Sequence, residues 1–309
     1  VEAVLQHFYR NKHVLVTGGA GFIGSHLVEK LVSLGARVTV LDNFSTGNLT
    51  NLRSVVSNIN LLYADIRAPH ICLKATSHQD VVFHLAAFIS VPESIMFPEL
   101  CMQVNSLGTK YVLDAAIKNN VSSVVIASSS AVYGNRSDLC KETDTLAPLS
   151  PYAQSKHEAE EWAIKAAATS NMNVVSLRYF NVYGPRQNPH GSYAAVVARF
   201  KHLLSKQLPV TIFGDGSQTR DFVPVANIVT ATLLAGMAQD QKGTVFNIGS
   251  GTSISLLALI KQLEAELESK PAKIEFLPAR EGDILHSMAS CEKFTHFANN
   301  LVSLAEKAC

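Results

Sequence analysis

Thr17-Gly18-Gly19-Ala20-Gly21-Phe22-Ile23-Gly24 is the stretch that decides how the chain folds. It overlaps His13–Thr17 (HVLVT), a short apolar run with β-branched residues that predicts a buried strand. After the glycines, Leu27, Val28, Leu31, Val32 and Leu34 make an apolar face at helical spacing, and Gly35 supplies a helix stop. Residues 37–41 (RVTVL) predict a second strand that ends on Asp42. Strand, helix and strand fit within about thirty residues, the size of a βαβ crossover. Glycines at 18, 21 and 24 let the backbone approach a pyrophosphate, and the N–H groups of the helix start stabilise its charge. A glycine-rich turn alone would not require the next strand to end in an acid. Asp42 stands there, placed to accept hydrogen bonds from an adenosine ribose. A carboxylate in that place disfavours a 2′-phosphate, so NAD is expected rather than NADP.

The alternation continues. Strands are predicted at 60–63, 81–85, 123–127 and 173–178, and helices at 105–118 and 151–168. Strands alternating with helices predict an α/β fold: a doubly wound parallel Rossmann sheet covered on both faces. From Gly184 the pattern loosens, broken by Pro185, Pro189, Gly191, Gly214 and Gly216. The expected division is a cofactor domain over 1–184, with segments near 222–250 returning to it, and a smaller C-terminal substrate lobe over 185–309. Residues 244–248 (TVFNI) look like a strand that rejoins the main sheet. Asp65, with Ile66 after it, closes a third strand-like segment where an adenine ring would lie.

The 309 residues are 47% hydrophobic and 17% charged, a globular balance with material for a sizeable core. A net charge of +1 supplies no global field for nucleic acid or anionic lipid, so any anion needs a local device. The five cysteines are odd in number and show no CxxC spacing, which fits free thiols in a reducing compartment. No signal peptide or membrane-length apolar run is visible, and a cytoplasmic protein is expected. Eleven histidines include no HExxH, so no metal site is expected. His84 ends a strand, where a packing role outweighs acid–base work. The serines at 128–130 lack a GxSxG elbow, which argues against a serine hydrolase.

Tyr152 and Lys156 stand four apart at a predicted helix start and so share one face. A free tyrosine, with pKa about 10, is a poor base at neutral pH, but a neighbouring ammonium favours its phenolate. Such a pair occurs often by chance. Here a strand ending in Ser128-Ser129-Ser130 precedes it, and a dinucleotide fingerprint opens the chain.

With these motifs the chain resembles the extended short-chain dehydrogenase/reductase family, specifically its sugar-nucleotide epimerases and dehydratases. The resemblance runs through TGGAGFIGSHL at 17–27, DNFSTG at 42–47, DIR at 65–67, HLAA at 84–87 and SSSAVYG at 128–134. It continues through SPYAQSK at 150–156, RYFNVYGPRQ at 178–187, FGDG at 213–216, TRDFV at 219–223 and NIGSG at 247–251. It implies a catalytic set of Ser129, Tyr152 and Lys156. Tyr152 would take the proton of a sugar hydroxyl, Ser129 would bridge sugar and tyrosine, and Lys156 would orient the nicotinamide ribose. Hydride would pass from sugar C4 to NAD, giving a 4-keto sugar. The implied cofactor surface comprises Gly18, Gly21, Phe22, Ile23, Gly24, Asp42, Asn43, Ser45, Thr46 and Gly47. It continues with Asp65, Ile66, Leu85, Ala86, Ala87, Asn105, Tyr152, Lys156 and Tyr179. The implied substrate contacts are Ser90, Ser129, Ser130, Asn181, Phe213, Arg220, Arg280, Asp283 and Ser287.

The family's dehydratases carry an Asp-Glu pair after the catalytic hydroxyl, and its decarboxylases keep a Glu two residues after it. Ser130 and Ala131 stand there instead. The expected outcome is therefore rotation of the keto sugar and hydride return, a 4-epimerisation of a UDP-hexose. Where plain-hexose epimerases have a bulky aromatic, this chain has Ser287, and Ser90 resembles the branch that takes N-acetylated sugars. UDP-GlcNAc and UDP-GalNAc are the expected substrates. UDP-glucose/UDP-galactose epimerisation, a related dehydratase, and a catalytically silent NAD-sensing scaffold are the alternatives. The resemblance also implies a homodimer through helices 105–118 and 151–168.

Overall fold

The computed structural model describes residues 1–136, 138–189, 196–279 and 284–308. The chain opens with α1 (Glu2–Tyr9), then β1 (His13–Thr17), α2 (Phe22–Ser33), β2 (Arg37–Asp42), β3 (Ile59–Tyr63), α3 (Pro69–Ala75) and β4 (Val81–His84). Two short helices, α4 (Val91–Met96) and α5 (Pro98–Met102), precede α6 (Gly108–Lys118). Then come β5 (Ser123–Ser129), α7 (Pro151–Ala168), β6 (Asn173–Tyr179) and β7 (Asn181–Tyr183). The remainder is α8 (Val196–Ser205), β8 (Val210–Phe213), β9 (Thr219–Arg220), β10 (Phe222–Pro224), α9 (Val225–Gly236) and β11 (Lys242–Ile248). It ends with β12 (Ile254–Ser255), α10 (Leu256–Leu267), β13 (Ile274–Leu277) and α11 (Glu292–Ala308).

Seven strands form one sheet in the order β3-β2-β1-β4-β5-β6-β11, with every neighbouring pair parallel. Side chains alternate across it. Val14 and Val16 enter a core shared with α1, α2, α9 and α11, whereas Leu15 enters a second core shared with α3, α6 and α7. Burial on both faces explains why the strands read as continuous apolar runs. The strand order reverses between β1 and β4, which opens a crevice at the carboxyl ends of the strands.

Residues 242–248 form the seventh strand, paired with β6. The smaller lobe has its own core, in which Val197, Phe200 and Leu204 of α8 meet Leu259, Ile260 and Leu263 of α10. Two differences from the sequence reading stand out. Residues 2–9 form a helix whose Tyr9 is fully buried and donates to Leu233 O at 2.6 Å. The last helix, α11, leaves the smaller lobe and packs on the main sheet, where Phe297 lies 4.9 Å from the ring of Phe246. Among the described residues no helix is long and apolar enough to cross a membrane.

Candidate active site

The crevice is a cleft of about 640 Å³ whose wall gathers the loops after β1, β2, β3, β4, β5 and β6. At its centre, α2 starts on Gly21, whose residue type offers no capping side chain, and its first turn carries no acid. The first N–H groups of the helix are therefore left for an anion. The glycines allow this geometry. A Cβ on Gly18 (φ +69) would stand 2.6 Å from Ala86 N, and one on Gly24 would overlap Gly18 O. Gly21 differs: an added Cβ meets only Gly18 O at 3.2 Å.

Asp42 is buried, with Oδ2 accepting from Ala20 N at 2.9 Å and Oδ1 from Phe44 N at 2.8 Å. Each oxygen keeps a lone pair for a ribose hydroxyl, so the cradle and the acid fit an adenine dinucleotide. Asn43, Ser45, Thr46 and Gly47 line the cleft beside it, as do Phe22, Ile23, Ile66, Leu85, Ala86 and Ala87. Asp65 is on the wall, but Arg67 grips it through Nε at 3.0 Å and Nη2 at 2.8 Å, and Asn43 Nδ2 donates at 2.9 Å. The Arg67 bonds hold its carboxyl at about 2. Tyr179 turns its ring to the cleft while its hydroxyl meets Thr232 at 2.7 Å.

Deeper along the cleft, β5 delivers Ser129 and α7 delivers Tyr152 and Lys156. The start of α7 is well held. Ser150 Oγ accepts from Ala153 N, and Ser94 Oγ of α4 accepts from Tyr152 N at 3.1 Å. Tyr152 and Ser129 share the cleft wall. Burial raises the tyrosine pKa, and Ser129 opposes that rise. Lys156 is buried, donates to Ala127 O at 2.8 Å, and is pushed down by desolvation to about 8. An ammonium beside a phenol favours its phenolate; at Tyr152 burial outweighs the lowering and the net direction is upward.

Several expected site residues lie elsewhere. Asn105 is displaced from the wall: it sits in a π-helical turn at Gln103–Leu107 with its amide consumed by Phe88 N, Phe88 O and Ser155 Oγ. There it pins the loop after β4 to α7. Ser90 spends its hydroxyl capping α4, accepting from Glu93 N at 3.2 Å, and is off the wall. Ser130 begins a tight turn behind Ser129. Asn181 lines the cleft. Phe213, Arg220 and Ser287 stand apart from the wall in the smaller lobe. Arg220 donates to Thr219 O at 2.9 Å, and Ser287 is buried in the strip beside it. Arg280 and Asp283 lie outside the described residues.

Other residues shape the site, and His84 takes the structural role that its place at a strand end implied. His84 joins Thr17 Oγ1 at 2.7 Å to Thr109 Oγ1 at 2.9 Å, and burial together with the Lys156 charge pushes it down to about 3. It is therefore a neutral strut between the glycine loop and α6. Asp221 is fully buried and holds Ser250 N, Gly251 N and Ala289 N. Arg67, Ile89, Glu93 and Gln187 also line the cleft. Among the described residues no group of three His, Cys, Asp or Glu is placed to hold a metal ion.

The sequence matches the model of the NAD dependent epimerase/dehydratase family over residues 14–249. It is 39% identical over 274 residues to a putative UDP-glucose 4-epimerase of Methanocaldococcus jannaschii, covering 88% of this chain and 87% of that protein. The structure of UDP-N-acetylglucosamine 4-epimerase from Methanobrevibacter ruminantium, in complex with UDP-N-acetylmuramic acid, superposes with a TM-score of 0.88. The identity is 34%, over 96% of this chain and 98% of that one. UDP-glucose 4-epimerase from Thermotoga maritima, with UDP-glucose, gives a TM-score of 0.86 at 35% identity over 92% and 91%. The glycine cradle, the ribose acid and the Ser-Tyr-Lys set thus sit in a chain that belongs to the NAD-dependent epimerase/dehydratase family.

Proposed function

We propose that the chain is a UDP-sugar 4-epimerase that prefers UDP-GlcNAc and UDP-GalNAc. The observation that carries the epimerase reading is the convergence of Ser129, Tyr152 and Lys156 on one cleft wall, with Ser130 and Ala131 following where an eliminating or decarboxylating enzyme would place carboxylates. NAD held by the glycine turn and Asp42 would supply the hydride acceptor that the sugar chemistry requires. Tyr152 takes the proton of the sugar hydroxyl and gives it back, Ser129 holds both oxygens in line, and Lys156 stabilises the phenolate. The nucleotide-sugar would extend from Ser129 past Asn181 toward the lobe that carries Phe213, Arg220 and Ser287. Arginine suits that end because its planar fork bonds phosphate oxygens in pairs.

The acetamido preference rests on Ser287, a small residue, since Ser90 is occupied as a helix cap. Incubated with a panel of UDP-sugars, the purified enzyme should equilibrate UDP-GlcNAc with UDP-GalNAc, read by NMR. Ser287→Tyr should cut kcat/KM for both by at least about tenfold and spare UDP-glucose. Efficient turnover of UDP-glucose alone would overturn the preference, and a 6-deoxy-4-keto product would overturn epimerisation. Because of Asp42, NADP should bind at least about tenfold more weakly than NAD in a fluorescence titration.

The assembly proposed is a homodimer through α6 and α7. Leu107 and Ile164 are exposed there at 41% and 52%. A monomer in light scattering would refute it.

A further inference from the structure

Three consecutive residues at the carboxyl end of β5 are set against residues one helical turn apart on α7. Ser129 shares the cleft wall with Tyr152 and lowers its pKa. Ala127 O accepts from Lys156 Nζ at 2.8 Å, and Ser128 Oγ donates to Glu160 Oε1 at 2.5 Å. Tyr152, Lys156 and Glu160 stand at i, i+4 and i+8, so one face of the helix presents all three rungs. The third rung is anchored further. Arg178 of β6 donates to Glu160 through Nε at 2.9 Å and Nη2 at 2.7 Å. Its Nη1 donates to Tyr133 Oη at 2.8 Å, which donates to Asn247 Oδ1 of β11 at 2.6 Å.

The Glu160–Arg178 pair is buried, each side chain 4% exposed. A buried ion pair is a poor device for stability alone, since apolar residues of similar volume often hold such elements together at lower desolvation cost. A carboxylate does what an apolar residue cannot: it accepts the Ser128 hydroxyl and the Arg178 fork together. That bond fixes the residue next to Ser129.

We propose that Glu160 is a positioning residue of the reaction: by holding Ser128 it sets the end of β5 against α7, so that Ser129 and Tyr152 meet at hydrogen-bonding distance. This rests on the assignment of Tyr152 and Ser129 made above. Glu160 is not among the described residues that line the cleft. It acts through Ser128, and its loss acts on the transition state, where a small misplacement of reacting groups is costly.

The test compares Ser128→Ala, Glu160→Gln and the double variant of the full chain with bound NAD, assayed on UDP-sugar. Ser128→Ala removes one rung and leaves the ion pair intact. Its kcat should fall about tenfold, with KM within about twofold of the parent. Glu160→Gln should lose more, and the double variant should lose no more than Glu160→Gln alone, because both act through one contact. A parental kcat in Ser128→Ala, a loss confined to KM, or losses that multiply in the double variant would overturn the proposal. Should Glu160→Gln fail to fold, Ser128→Ala decides by itself. Tyr152→Phe run alongside separates the two readings: turnover surviving there refutes the assigned base, whereas turnover lost there but unchanged in Ser128→Ala refutes only Glu160.

Discussion

Tyr152→Phe should reduce kcat by about a thousandfold or more while leaving NAD binding and thermal stability close to the parent. The substitution removes one oxygen and keeps the ring. Ser129 lowers the pKa of that oxygen, and the backbone N–H of residue 152 stays capped by Ser94 Oγ at 3.1 Å. The helix start, the Lys156–Ala127 bond and the glycine cradle all remain. What disappears is the only group in the Ser129–Tyr152–Lys156 set that can become an oxyanion base near neutral pH. Neither substitute base is suited. The His84 ring is spent on two threonines and stays neutral, and the Lys156 ammonium donates to Ala127 O. Burial raises the tyrosine pKa while Ser129 lowers it. Ser129→Ala should therefore move the acid limb of kcat to higher pH, because a phenolate without its donor is harder to form. The two variants, read in steady-state kinetics and cofactor titration, also dispose of the scaffold alternative. A protein that only senses NAD would show no turnover for Tyr152→Phe to remove.

How far the residues could be read before folding depended on where each signal lay. The glycine turn, Asp42 and the Tyr152–Lys156 spacing are local patterns, and local geometry dictates their chemistry. They fall on one cleft because strand order does the rest. Residues that act by meeting a partner distant in sequence left no such trace. Ser94 and Tyr152 are 58 apart, and Thr17 and His84 are 67 apart, so neither pairing has a period to detect. Asn105, implied as a cofactor contact by the family resemblance, holds Phe88 and Ser155 through its amide, pairings that no sequence period announces. Glu160 was within reach, since it lies on the helical face already marked by Tyr152 and Lys156; what the spacing could not supply was Arg178, brought in by β6. The N-terminal helix was passed over because eight residues give too short a window for periodicity to separate from chance.

Gly24→Ala and Gly21→Ala should fail in different ways, and the contrast tests whether the glycine turn serves the fold or the ligand. A Cβ at Gly24 would overlap Gly18 O and lie 2.8 Å from Gly19 Cα, both backbone atoms. Gly18 cannot yield easily, because its carbonyl accepts from Gly21 N at 3.1 Å and its own N–H donates to Leu41 O at 2.8 Å. Gly24→Ala therefore pushes α2 from the sheet, with a destabilisation of about 3 kcal/mol, the upper range of an overpacked core. The thermal midpoint of the cofactor-free protein should fall and NAD binding should vanish with it. At Gly21 an added methyl meets only Gly18 O at 3.2 Å and otherwise projects into open space beside the first helical N–H groups. The cofactor-free protein should keep its midpoint to within a few degrees, about the effect of a tolerated surface change. The same methyl stands where a diphosphate must approach the backbone, and NAD affinity should fall by about a hundredfold, near 2.7 kcal/mol. Thermal unfolding with and without NAD separates the two, since the stabilisation a ligand gives grows with the logarithm of its concentration over its Kd for the folded state. Parental NAD stabilisation in Gly21→Ala would mean that the pyrophosphate lies elsewhere than over the start of α2, and the cofactor pose implied by Asp42 would have to be redrawn from the ribose outward.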